Sequence, residues 1–390
     1  MRAPAGRGRL PAFTTTAPRA APGTARATRG TALAARGTAL AARGIALAAC
    51  CAALAACSAL GAAAGPSSDP AVTPAAATRA AADRPGSPAA VPRHPVGRLG
   101  SFWVGTRWMT FTEPAHVGVT GAHLPPRKLL TQTFYPLKAR PSATTPPARG
   151  PFPLLAFAPG FMQCGRPYSR LLRGWASAGY VVVVVNFPHS DCKAGSAATE
   201  SDMVNQPGDM SYVITRVLAL SRQRRGLFAG LIDPREVAVT GQSDGGDTVA
   251  ALAANTCCGD RRVSAVAVLS GAEWPPMPGR YFARRPVPML FAQGSADVIN
   301  WPGCSVELYR GDPAYLRYYL DLFGASHTGP YWGSNQYERV VLRASLAFFD
   351  RFVLRQLAAG PAMRRAGDVR GVSVLFSHGA GRLSGGRCDN

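Results

Sequence analysis

The chain is predicted to form an α/β domain: a mostly parallel central sheet with an antiparallel N-terminal edge and helices on both faces. Three observations predict it. Short, near-continuously apolar runs at 154–158, 181–185, 237–240, 263–269 and 288–292 have the composition of strands buried on both sides. Segments with helical spacing alternate with them, and parallel strands need such crossovers. Upstream, 108–112 and 129–135 flank a Gly- and Pro-containing stretch at 118–126 and read as an antiparallel entry hairpin.

Taken in order, 154–158 is the first parallel strand, and Tyr168, Leu171, Leu172, Trp175 and Ala178 mark the helix that follows it. Residues 181–185, 237–240, 263–269 and 288–292 continue the sheet, and 316–323 is strand-like. Leu342, Leu346, Phe349 and Val353 mark the final helix. Fewer than twenty residues separate 269 from 288, and they are Pro-rich, so no large helical cap fits there and the adjoining face is expected to be open. Residues 357–390, rich in Gly and Arg, read as a loose tail, although 372–376 could add a strand.

Composition divides the chain into a 1–57 signal or lipoprotein-signal segment, a 58–98 tether, a folded domain over 99–356 and the 357–390 tail. Up to about residue 98 the chain is Ala, Pro, Gly, Ser, Thr and Arg with scarcely an aromatic, too little apolar surface to offset backbone ordering. The net charge of +22 is weighted toward the N-terminal part: residues 1–150 hold 18 basic and 3 acidic side chains, against 25 and 18 in 151–390. With no basic helix interleaved with aromatics, no nucleic-acid partner is expected. Residues 29–49 repeat Arg-Gly-Thr-Ala-Leu-Ala-Ala three times with small variations and lead into an apolar run at 45–56, the layout of an export signal. Leu54-Ala55-Ala56-Cys57 resembles the lipobox of bacterial lipoproteins, which implies lipidation of Cys57 and attachment to a membrane through that lipid. Leu47-Ala48-Ala49-Cys50 fits the same pattern, and an ordinary cleaved signal is the alternative. A secreted or cell-surface location in a bacterium is the expectation.

Six cysteines lie beyond the signal, and an even set in an exported chain suggests disulfides. Cys164 and Cys192 follow strands that should be neighbours, so their loops leave one edge side by side and these two are expected to pair. Cys257, Cys258, Cys304 and Cys388 are left unassigned. None of the six shows metal-ligand spacing with His, so no metal and no cofactor are expected.

The chemistry centres on Gly241-Gln242-Ser243-Asp244-Gly245, where an apolar strand runs straight into a helical segment. A strand that turns at once into a helix forces its turn residue into a strained conformation, tolerable only between small residues two before and two after. Gly241 and Gly245 meet that need, so Ser243 is the candidate nucleophile. A serine needs a base and an acid that orients the base. His327, in a loop of small residues after the 316–323 run, is the candidate base. Asp297, after the 288–292 strand, is the candidate acid, the alternative being a turn-capping Asp. The amides of Asp244 and of Phe161, in the loop leaving 154–158, are the candidate oxyanion donors. The Asp244 carboxylate is expected either at the cleft rim as a fixed charge or turned away to nearby backbone or an Arg.

Phe134-Tyr135-Pro136, Ala158-Pro159-Gly160-Phe161, the Ser243 elbow, Gly294-Ser295-Ala296-Asp297 and Gly324-Ala325-Ser326-His327 together resemble the α/β-hydrolase family over roughly 105–355. Within it they are most similar to the secreted bacterial lipase, cutinase and polyester-hydrolase branch, and to platelet-activating-factor acetylhydrolase and dienelactone-hydrolase-like proteins. The resemblance implies a Ser243, Asp297, His327 triad, oxyanion amides from Phe161 and Asp244, and Phe161 with Trp274 flanking the acyl group of an ester substrate. Gln242 stands where the family more often has His or Trp, and Asp244 where polyester hydrolases usually have Met. A serine peptidase on the same fold and a non-catalytic surface lipoprotein are the competing readings.

Overall fold

In the computed structural model, residues 99–100, 102–377, 383 and 388 are described; Cys57 and the expected signal and tether lie outside the described residues. With strands numbered in chain order, β1 (Trp103–Glu113) and β4 (Arg127–Leu137) form the entry hairpin in continuous antiparallel register from Trp103↔Leu137 to Glu113↔Arg127. The connection holds a small pair of its own, β2 (His116–Val117) with β3 (His123–Leu124). Six strands then run parallel: β5 (Phe152–Ala158), β6 (Val181–Asn186), β7 (Ile232–Gln242), β8 (Val263–Leu269), β9 (Met289–Gly294) and β10 (Arg317–Leu322). The sheet is completed by β11 (Ser373–Ser377), antiparallel to β10, in the order β1-β4-β6-β5-β7-β8-β9-β10-β11. It is a mixed α/β fold with a large, mostly parallel sheet.

The apolar runs are explained by the two cores. Val181, Val183 and Val185 of β6 point into one core, with Met210, Val213 and Ile214 of α2 (Gln206–Arg222), Val249 and Leu252 of α3 (Asp244–Ala254), and Val306 of α4 (Pro302–Gly311). Val182 and Val184 point into the other, with Leu171 and Trp175 of α1 (Ser169–Ser177) and Leu346 and Phe349 of α5 (Gln336–Phe352). Strand side chains alternate between faces, so a strand covered on both must be apolar at every position, each buried Val contributing about 1.5–3 kcal/mol. Buried polar tips find partners: Trp175 Nε1 donates to Ser345 Oγ at 3.0 Å and Tyr180 Oη to Asp350 at 2.9 Å. Arg127, where β4 begins, is 3% exposed and binds Asp202 and Asp209 together. Its planar fork can serve two carboxylates at once, which ties β4 to α2.

Two expectations change. β7 begins at Ile232 rather than 237, because its first turn of chain is the polar Asp233-Pro234-Arg235-Glu236, with Pro234 and Arg235 exposed. The 357–390 tail is not loose over 359–377: α6 (Ala359–Gly367) packs against α5, and β11 pairs with β10. Leu375 enters the core from the strand allowed for at 372–376, while Ala362 and Met363 of α6 are too few apolar positions to stand out among the Gly and Arg around them. Cys164 pairs with Cys192, as their placement after the adjacent strands β5 and β6 suggests. Cys257 pairs with Cys258, and Cys304 with Cys388. Three disulfides fit an oxidising, extracellular-type setting.

Candidate active site

Ser243 is the single residue between β7 and α3, and its backbone sits at φ 57°, ψ −129°. A Cβ on Gly241 would collide with the Gly245 carbonyl, and one on Gly245 with the Ala158 carbonyl, so both positions must lack a side chain. The Ser243 carbonyl accepts the N–H groups of Gly246 and Asp247 at 2.6 and 3.1 Å, which closes the first turn of α3 directly beneath it. The helix N-terminus therefore begins at the candidate nucleophile, where its unpaired amides and positive dipole end favour developing negative charge.

Asp297 follows β9 and His327 follows β10, neighbouring parallel strands whose ends bring the two side chains together. His327 Nδ1 lies 2.8 Å from Asp297 Oδ2. Three more donors converge on that carboxylate: Gln293 Nε2 at 2.9 Å on Oδ2, and the Ile299 and Asn300 amides at 2.9 and 3.1 Å on Oδ1. Asp297 is thus more than a turn cap. Its loop is held from behind, since Ser305 Oγ donates to Gln293 Oε1 at 2.7 Å and Asn300 Nδ2 to the Ser270 carbonyl at 2.7 Å.

One contact expected of a triad is not formed. Ser243 Oγ makes no hydrogen bond among the described residues, and His327 Nε2 instead faces Gln242 Nε2 at 3.1 Å. Gln242 Nε2 also donates to the His327 carbonyl at 3.3 Å, while Gln242 Oε1 accepts from Tyr168 Oη at 2.7 Å. Burial pushes the Tyr168 phenol up to about 12.

The loop after β5 lies beside the elbow: a Cβ on Gly160 would come within 3.1 Å of Ser243 Cβ. Phe161 follows directly, and its amide makes no hydrogen bond among the described residues. Met162 N–H donates to the Ser190 carbonyl at 2.8 Å and the Cys164–Cys192 bond closes the loop, so both hold Phe161 in place. Trp274 is half-buried in the loop leaving β8, and that loop is joined to α3 through Asp247, whose Oδ1 accepts the Ala272 N–H at 2.6 Å. Burial holds the Asp247 carboxyl well above the usual range.

Asp244 is half-buried at the start of α3. Its Oδ2 is buried without a hydrogen-bond partner among the described residues, and no Arg among them pairs with it. Burial, with the Glu200 charge adding to it, raises the carboxyl to about 7, while its own N–H and the neighbouring His327 pull the other way. Sequence reading missed Gln242, Tyr168, Gln293 and Asp247 as contributors; only the position of Gln242 inside the elbow offered a signal. Among the described residues no cluster of His, Cys, Asp or Glu could hold a metal ion. No protein-family model matches this chain, and a search of curated proteins gives no match.

Proposed function

We propose that this chain is a serine ester hydrolase of the α/β-hydrolase type, acting on carboxylic esters through an acyl-enzyme. The observation that carries the reading is Ser243 held at positive φ between β7 and α3, with the Asp297–His327 pair emerging from β9 and β10. The chain order Ser, Asp, His, each beyond a strand's C-terminal end, is that of the α/β-hydrolases. In the proposed reaction Ser243 Oγ attacks the ester carbonyl and His327 Nε2 takes its proton, after exchanging the Gln242 amide for the serine hydroxyl. Asp297 holds the Nδ1 proton and steadies the imidazolium. The Phe161 and Asp244 amides receive the oxyanion, the alcohol leaves with the proton from His327, and water releases the acid by the same path. Between β8 and β9 there is no helix, which supports an open cleft for esters presented on a surface or polymer, with Phe161 and Trp274 beside the acyl group. The disulfides support a secreted or surface-held protein.

The test is to treat the purified chain with a fluorophosphonate and to assay p-nitrophenyl esters, triglyceride and polyester. Labelling at Ser243 and ester turnover, both lost in Ser243→Ala, are expected. Labelling of Ser243→Ala at the wild-type rate would overturn the assignment, and turnover of peptide amides in preference to esters would replace it with a peptidase.

A further inference from the structure

Gln242 is buried between the nucleophile, the loop carrying Phe161 and the imidazole, and the hydrogen bonds around it have only one consistent direction. At one end, the Gly160 N–H donates to Tyr168 Oη at 3.2 Å. A backbone amide can only donate, so Tyr168 Oη accepts there and keeps its own proton for Gln242 Oε1. At the other end, the His327 carbonyl can only accept, so the group it meets must be the Gln242 nitrogen. The carbonyl sets the orientation of the amide, and the Tyr168 proton then meets Oε1. Reversing it would aim Oε1 at the carbonyl, lone pair against lone pair, and would leave the Tyr168 proton without this acceptor.

The ring nitrogen 3.1 Å from Gln242 Nε2 is therefore an acceptor, and the ring proton sits on Nδ1 facing Asp297. Nε2 has one lone pair, and Gln242 occupies it. We infer that Gln242 is a positioning residue that holds the lone pair of His327 away from Ser243 in the resting protein, and couples that hold through Tyr168 to Gly160 of the oxyanion loop. Ser243 gains its base only when the imidazole gives up the amide for the hydroxyl, and the same chain of bonds reports movement of the Gly160 loop to the base. The inference rests on the ester-hydrolase reading for what the lone pair is used for; the hydrogen bond itself does not.

The substitution that tests it is Gln242→Met, similar in length and without a donor. Releasing one hydrogen bond before acylation should hold the wild type back by about two- to tenfold, so Gln242→Met is expected to label faster with a small fluorophosphonate by that factor. A residue that merely supports the fold would label more slowly on replacement. Tyr168→Phe, which removes the far anchor of the amide, should shift the rate the same way by less, and serves where Gln242→Met does not fold. On the inert Ser243→Ala background, removing the donor should move the His327 Nε2 nitrogen resonance downfield, a readout independent of turnover. Unchanged or slower labelling in folded Gln242→Met, or an unmoved Nε2 resonance, overturns the inference. If the wild type itself is not labelled, the ester-hydrolase reading fails and the resonance alone decides whether Gln242 holds the imidazole.

Discussion

Asp247 accepts the Ala272 N–H at 2.6 Å, and this one bond joins the first turn of α3 to the loop that carries Trp274. Because burial raises the Asp247 carboxyl well above its usual range, the side chain serves as a polar tether more than as a charge. Asp247→Asn keeps an acceptor of the same shape and should cost under about 1 kcal/mol. Asp247→Ala leaves the buried amide unpaired and should cost about 1–3 kcal/mol. Urea unfolding of the two variants checks the difference, and equal losses would show that the bond does not hold the loop.

Ser243 pays for its exposure in backbone strain, since φ 57° with ψ −129° is a region that favours glycine. Ser243→Gly should therefore raise stability by about 1 kcal/mol while abolishing turnover. A thermal midpoint at or below the wild type would show that the turn is relaxed.

For Asp244 the sign follows from its raised value. A carboxyl at 3.8 in the unfolded chain and about 7 in the folded one takes up a proton on folding between those values. Its contribution is most favourable in acid and is lost as pH rises through about 7. Asp244→Asn should therefore gain stability relative to the wild type between about pH 4 and about pH 7 and change little beyond. Urea unfolding across that window is the measurement, and a flat difference would refute the buried carboxyl. In turnover, Asp244→Asn should raise kcat/KM for an anionic ester over its neutral analogue at about pH 8 and not at about pH 5, because only the ionised form repels.

The Cys164–Cys192 bond spans a sequence separation of 28 and closes the loop beyond Phe161. Replacing both by Ser should lower stability by about 3 kcal/mol through the freed unfolded chain. It should also lower kcat more than it raises KM, as the Phe161 amide loses its brace. A double variant with wild-type kcat would show that the Met162–Ser190 bond suffices.

Much of the architecture was legible because it is written locally. Strands buried on both faces must be apolar at every position, so β5, β6, β8 and β9 stood out, and Gly241 and Gly245 marked a strand able to turn sharply through Ser243. Asp297 and His327 could be expected side by side because each follows a strand. The sequence alone also paired Cys164 with Cys192, since adjacent parallel strands place their following loops together. What the tertiary structure decided depends on neighbours far along the chain. Gln242 meets His327 across 85 positions and Tyr168 across 74, and the direction of those bonds exists only once backbone groups at both ends are in place. The charge state of Asp244 follows from desolvation, which no local pattern reports. The strand allowed for at 372–376 became β11 only by reaching the edge of β10, and the Cys304–Cys388 bond was hidden because a distant thiol acquires meaning only from the helix α4 it reaches.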